Sequence, residues 1–145
     1  MDFNGPYAWH LPGMSVELTM LAFAMALGMV QLLLAGRMNN GQRGAKWNLG
    51  ARDGEPPPVS AIAARTERAR KNFMETFPFF ASAVLALSIL SRHNNWTVYG
   101  SEAYVAARVL YLPLYMFGVF GLRTFVWLIG TIGLVAMIAA MFFPL

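Results

Sequence analysis

Residues 64–80 read Ala64-Arg65-Thr66-Glu67-Arg68-Ala69-Arg70-Lys71-Asn72-Phe73-Met74-Glu75-Thr76-Phe77-Pro78-Phe79-Phe80, and the run that follows, to about Ser91, is apolar apart from serine hydroxyls. At ~100° per residue, Arg65, Arg68, Asn72 and Glu75 fall within roughly 80° of one another. They make one polar stripe on a helix that starts at about Ala61, outside the membrane. The stripe descends into an apolar region, and the sequence Thr76-Phe77-Pro78-Phe79-Phe80 after Glu75 commits that carboxylate to the membrane.

Working outward, the chain holds three more apolar segments of similar length. The four segments cover about 14–36, 61–91 (apolar from about Phe73), 97–121 and 124–143. Each holds roughly the 20 residues that a helix needs to cross ~30 Å of hydrocarbon. In lipid every backbone N–H and C=O must be paired within the segment, which favours helices. The expected fold is therefore all-α: an integral membrane bundle of four transmembrane helices in a single domain over residues 1–145. The first segment has no basic residues ahead of it and is longer than an ordinary signal core, so it is expected to be retained.

Composition agrees with this reading. Of 145 residues, 57% are apolar and 12% charged, against about 25% charged in soluble domains. A surface so poor in charge is suited to lipid. Of the 11 Lys and Arg, eight fall between Arg37 and Lys71, and none precedes Arg37 or follows Arg123. By the positive-inside rule the polar loop 37–60, rich in Gly, Asn and Pro, is cytoplasmic and both termini face the other compartment. An inner membrane, if bacterial, and an endoplasmic reticulum, if eukaryotic, both fit. So apolar a chain is not expected to bind nucleic acid despite its charge of +4. Trp9, Trp47 and Trp96 sit near segment ends, as interfacial anchors do. There is no cysteine, and His10 and His93 are the only histidines, so no metal site is expected.

The link at 121–123 is so short that the third and fourth helices must be antiparallel neighbours. In the first helix Ala22 with Ala26, and Ala24 with Gly28, place small residues four apart. Such pairs let helices approach closely, either within one chain or between subunits.

The third helix carries a matching polar face, with Arg108, Tyr111 and Tyr115 at i, i+3 and i+7. An arginine within a membrane segment costs ~2.5–3.5 kcal/mol on insertion scales, so it should face the bundle interior and find a partner. Glu75 is the expected partner of Arg108. The alternative for the whole set is a structural ion-pair network, and for Arg70 and Lys71 a solvated cluster facing anionic lipid. Together the two faces suggest a cationic pocket opening toward the cytoplasm. It suits a small anion that also carries an amine: arginines would take its carboxylates and Glu75 the amine. A hydrophobic co-substrate would enter from lipid.

The pattern Arg68-Ala69-x-x-Asn72-x-x-Glu75-x-Phe77-Pro78 on the second of four membrane helices resembles the signature of the MAPEG family, the membrane-associated proteins in eicosanoid and glutathione metabolism. Microsomal glutathione transferases, leukotriene C4 synthase and microsomal prostaglandin E synthase belong to it. Arg108-x-x-Tyr111-x-x-x-Tyr115 is similar to the third-helix pattern of leukotriene C4 synthase. The resemblance runs from Gln31 to about Trp127. It implies a homotrimer that binds glutathione between subunits near the cytoplasmic face. Arg68, Asn72 and Glu75 would bind glutathione, with Arg108, Tyr111 and Tyr115 lining the same site. Arg65 and Arg37 are looser candidates, Arg37 reaching in from the adjacent subunit.

The resemblance also implies a catalytic arginine at the start of the fourth helix, matched here by Arg123, with the Thr124 hydroxyl beside it. The spacing from Tyr115 is one residue longer than in leukotriene C4 synthase. Tyr111 stands where prostaglandin E synthase has histidine, so the prostaglandin reaction does not carry over. The implied activity is a glutathione-dependent transferase or peroxidase. It would activate the thiolate against a lipophilic electrophile or a lipid hydroperoxide, with glutathione as co-substrate and no metal. The alternative is a non-enzymatic four-helix scaffold or accessory subunit that keeps the polar stripe for folding. A transporter would be expected to show internal repeats or broken helices, and the sequence has neither.

Overall fold

The computed structural model describes residues 11–143, and Trp9 and His10 lie outside them. The described chain is helical without strands: α1 Val16–Arg43, α2 Ala45–Leu49, α3 Ala61–Ile89, α4 Asn95–Met116 and α5 Leu122–Phe142. Polar caps set three of the starts. Ser15 accepts from the Leu18 N–H and Ser60 from the Ala63 N–H, while Asn94 and Thr97 form a reciprocal capping box on α4.

α1 differs from the sequence expectation. The helix does not give way to loop after Gly36 but continues two turns to Arg43, and a further turn, α2, follows. The reason is tertiary. Gln42 bonds the α3 cap on both sides, its Nε2 donating to Ser60 Oγ (3.1 Å) and its Oε1 accepting from the Ser60 N–H (2.6 Å). That tie holds Asn39-Asn40-Gly41 in helix against weak intrinsic propensity. Between α1 and α3 irregular backbone is confined to Gly44 and to 50–60, where Pro56, Pro57 and Pro58 fall. α4 also ends earlier than expected, at Met116, because Gly118 (φ 71°) and Gly121 (φ 75°) turn the chain into α5.

Within the described residues α1, α3 and α5 are long and apolar enough to cross a membrane. α4 has the length, at 22 residues, but Ser101, Glu102 and Arg108 lower its apolarity. The outer faces expose Met25, Met29, Leu33, Phe79, Leu85, Ile132 and Val135, a surface that water would penalise and lipid would not.

Inside, Met20, Leu21 and Ala24 meet Phe73, Phe80, Val84 and Leu87, with Tyr104 from α4 and Leu134 and Met137 from α5. Small residues set the close crossings. Gly28 faces the Phe73 ring, where an added Cβ would come within 2.9 Å, so the Ala24–Gly28 pair serves packing inside this chain. Gly100 and Gly133 bring the α4 and α5 backbones together, and a Cβ on either would stand 2.6–2.7 Å from the other's carbonyl. This contact pins the α4–α5 hairpin.

The end where α1 and α4 begin is closed by polar contacts. Glu17 is 1% exposed. Its Oε1 accepts from Thr97 Oγ1 at 2.5 Å and its Oε2 lies 3.2 Å from His93 Nδ1. Arg92 donates to the Met141 carbonyl, tying the α3–α4 turn to α5.

Candidate functional site

Towards the other end, α3, α4 and α5 converge on a second cluster, Ala69, Ala107, Tyr111 and Val126. Ala69 and Ala107 are small, and Gly130 leaves room for the Ala107 methyl. The three helices therefore approach closely enough for their long polar side chains to meet.

Arg108 is the centre of that meeting. It is 2% exposed, and its Nη1 donates to Asn72 Oδ1 at 2.9 Å. Its guanidinium carbon lies 5.1 Å from the Tyr104 ring centre and 5.8 Å from that of Tyr111, within the range of cation–π attraction. Its Nε and Nη2 are buried with no hydrogen-bond partner. The Tyr111 and Tyr115 rings are 5.4 Å apart. Tyr115 in turn meets two more guanidiniums, Arg123 at 5.0 Å and Arg68 at 6.0 Å from its ring centre. Asn72, Tyr111, Arg123, Thr124 and Trp127 line a cleft of about 250 Å³.

Six of the residues singled out in the sequence thus form one connected set: Arg68, Asn72, Arg108, Tyr111, Tyr115 and Arg123. Thr124 joins them as a wall of the cleft. The others fall differently. The expected Arg108–Glu75 pair does not form: the face of α4 is turned toward Asn72, one helical turn earlier, and Glu75 is exposed with no ion pair among the described residues. Arg65 instead clamps the end of α4, its Nη1 donating to the Met116 carbonyl (3.4 Å) while the guanidinium packs on Gly118. Arg37 is exposed on α1 and forms no ion pair among the described residues.

Two residues of the site were not singled out from sequence. Tyr104 stacks on Phe80 (ring centres 4.1 Å apart), shares a 3.0 Å hydrogen bond with Thr76 Oγ1 and faces Arg108. Its place four residues before Arg108 was the available signal. Trp127 lines the cleft with a buried indole N–H that has no partner, and it follows Arg123 by one helical turn.

Chemically, the cluster presents three guanidiniums, those of Arg68, Arg108 and Arg123, and none of them is in an ion pair among the described residues. Buried donors without partners are costly, so Arg108 Nε and Nη2 and Trp127 Nε1 favour a ligand rich in acceptors. No group of three or more His, Asp or Glu suited to a metal ion occurs among the described residues.

A family model, that of the MAPEG family, matches residues 20–143. The chain belongs to the MAPEG family. No curated protein and no solved structure matches it. Membership and the three long apolar helices make this an all-helical membrane protein of a glutathione-related family. In this MAPEG protein the arginine–tyrosine cluster lies within the matched span, on α3, α4 and the start of α5.

Proposed function

We propose that this MAPEG protein is a glutathione-dependent transferase or peroxidase that acts on a lipophilic electrophile or lipid hydroperoxide. The observation that carries the reading is the buried, partly unpaired Arg108, joined through Asn72, Tyr111 and Tyr115 to Arg123 beside an open cleft.

Arg68 and Arg108 would hold carboxylates, Asn72 would orient the peptide portion, and Glu75 would hold the amine. When bound, glutathione supplies the sulfur nucleophile. Arg123 favours the thiolate, since a cation within ~4–6 Å stabilises the charged form, and exclusion of water strengthens that effect. The Thr124 hydroxyl adds a hydrogen bond. The thiol proton would leave through the cytoplasmic mouth. The sulfur would add to the electrophile or displace its leaving group; with a hydroperoxide the O–O bond would break, the alcohol would leave with a proton from water, and a second glutathione would reduce the resulting sulfenic acid to the disulfide.

The exposure of Glu75, and of Arg37 on α1, fits a site completed by a neighbouring subunit of a homotrimer. In this reading all four long helices span the membrane, α4 sheltering its charged face inside the bundle. The loop between α1 and α3 is cytoplasmic, and Trp47 and Trp96 anchor at the interfaces.

The test is calorimetric titration of the purified protein with glutathione in neutral detergent. Binding at millimolar glutathione or below, lost on oxidation-independent blocking of both carboxylates as esters, is expected. No binding at millimolar concentration would favour the scaffold reading.

A further inference from the structure

A second cleft, of about 460 Å³, lies in the α1–α3 connection, away from the arginine–tyrosine cluster. Its lining includes Arg43, Lys46, Trp47, Arg52 and Asp53. Three cations and one anion give the wall a net charge of +2. None of the three cations is in an ion pair among the described residues. The Arg43 Nε is buried and lacks a hydrogen-bond partner. Glu67, an acid on the neighbouring helix, is already occupied: Arg70 takes both of its oxygens, at 3.0 and 2.6 Å.

Backbone and position add to this. Arg52 adopts a left-handed conformation (φ 60°), which is uncommon for a non-glycine residue, and its Nη2 donates to the Asn48 carbonyl at 2.9 Å. The side chain is thereby folded back over α2. The apolar run of α1 ends at Gly36, so Arg43 stands about 10 Å further along the axis, a depth that falls among the headgroups. Leu49, at the end of α2, is 88% exposed, and Trp47 forms part of the cleft wall. An exposed leucine and a half-buried tryptophan on one short helix suit an interface, where one side is apolar and the other wet.

We propose that this cleft is a phosphate site that takes the headgroup of an anionic phospholipid from the leaflet bordering the α1–α3 connection. Arg43 and Lys46 contact the phosphate, Arg52 closes over it, and Trp47 and Leu49 rest against the acyl-chain boundary. The site stands apart from the glutathione reading and does not depend on it.

The test uses the full chain in neutral detergent, titrated with phosphatidylglycerol or with phosphatidylcholine, with bound lipid counted by native mass spectrometry. One phosphatidylglycerol per chain is expected to be retained in preference to phosphatidylcholine. The double variant Arg43→Gln, Lys46→Gln should weaken retention about 30-fold, and Asp53→Asn should strengthen it about fivefold, each charge near the surface contributing equally. Lys71→Gln, outside the cleft, should change it less than about twofold. Asp53→Asn keeps the proposal exposed to failure even if the double variant does not fold. Equal retention of the two lipids, or no response to either change in the cleft, would overturn it. So would full displacement of the lipid by millimolar inorganic phosphate, which would make the cleft a site for a soluble anion.

Discussion

Two polar clusters are buried in this bundle, and they are finished differently. At the end where α1 and α4 begin, Glu17 is enclosed and each of its oxygens has a neighbour, Thr97 on one side and His93 on the other. Around Arg108, by contrast, one nitrogen is bonded to Asn72 and two are buried without partners, next to an open cleft. A polar group enclosed with its partners stabilises a fold. One left with spare donors costs stability, and such costs concentrate where a ligand is to be bound. The Glu17 cluster reads as a latch and the Arg108 cluster as a site.

This contrast can be broken by substitution, and the effects should differ in kind. Arg123→Ala should lower turnover in a glutathione conjugation assay about 100-fold, the scale of removing one charge-stabilising donor, while glutathione affinity stays within about threefold. Unchanged turnover would remove Arg123 from the mechanism. Glu17→Ala should do the opposite. Thermal unfolding in detergent should show a loss of about 2 kcal/mol, from the lost buried hydrogen bond to Thr97 and the lost contact with His93, with glutathione affinity of the folded protein unchanged. A fall in affinity without loss of stability would mean that the latch is part of the site.

Smaller effects sharpen the picture. Glu75→Gln should weaken glutathione binding about tenfold, the scale of one charged hydrogen bond, with no loss of stability, because Glu75 has no ion-pair partner among the described residues. A titration indistinguishable from the parent would leave Glu75 without a role in binding. Trp127→Phe should cost about threefold in affinity, as one neutral hydrogen bond does. A change in stability alone would make the indole a packing group.

The helices and the polar faces were legible in the sequence because both depend on local spacing. Arg68, Asn72 and Glu75 share a stripe by helical geometry, and Arg108, Tyr111 and Tyr115 share another. How the stripes meet was not legible. Helix rotation is set by close packing at Gly28, Gly100 and Gly133, and it brings Arg108 opposite Asn72 instead of Glu75. The extension of α1 to Arg43 was hidden for a similar reason, since it rests on a hydrogen-bonded tie between Gln42 and Ser60, 18 residues apart. Tyr104 and Trp127 lie on the right helical faces, yet an aromatic at such a position is more often plain core. Tertiary contacts mark them out: the Phe80 stacking and the facing Arg108 for Tyr104, and the unpartnered indole N–H for Trp127.

The central claim is that the Arg108–Arg123 cluster holds glutathione and ionises its thiol. Rapid mixing of the purified protein with glutathione, followed by thiolate ultraviolet absorbance, tests it most directly. The parent protein should show a rise in absorbance near neutral pH, and Arg123→Ala should bind glutathione without that rise. A parent protein that binds glutathione with no thiolate signal, or a variant with the full signal, would contradict the account.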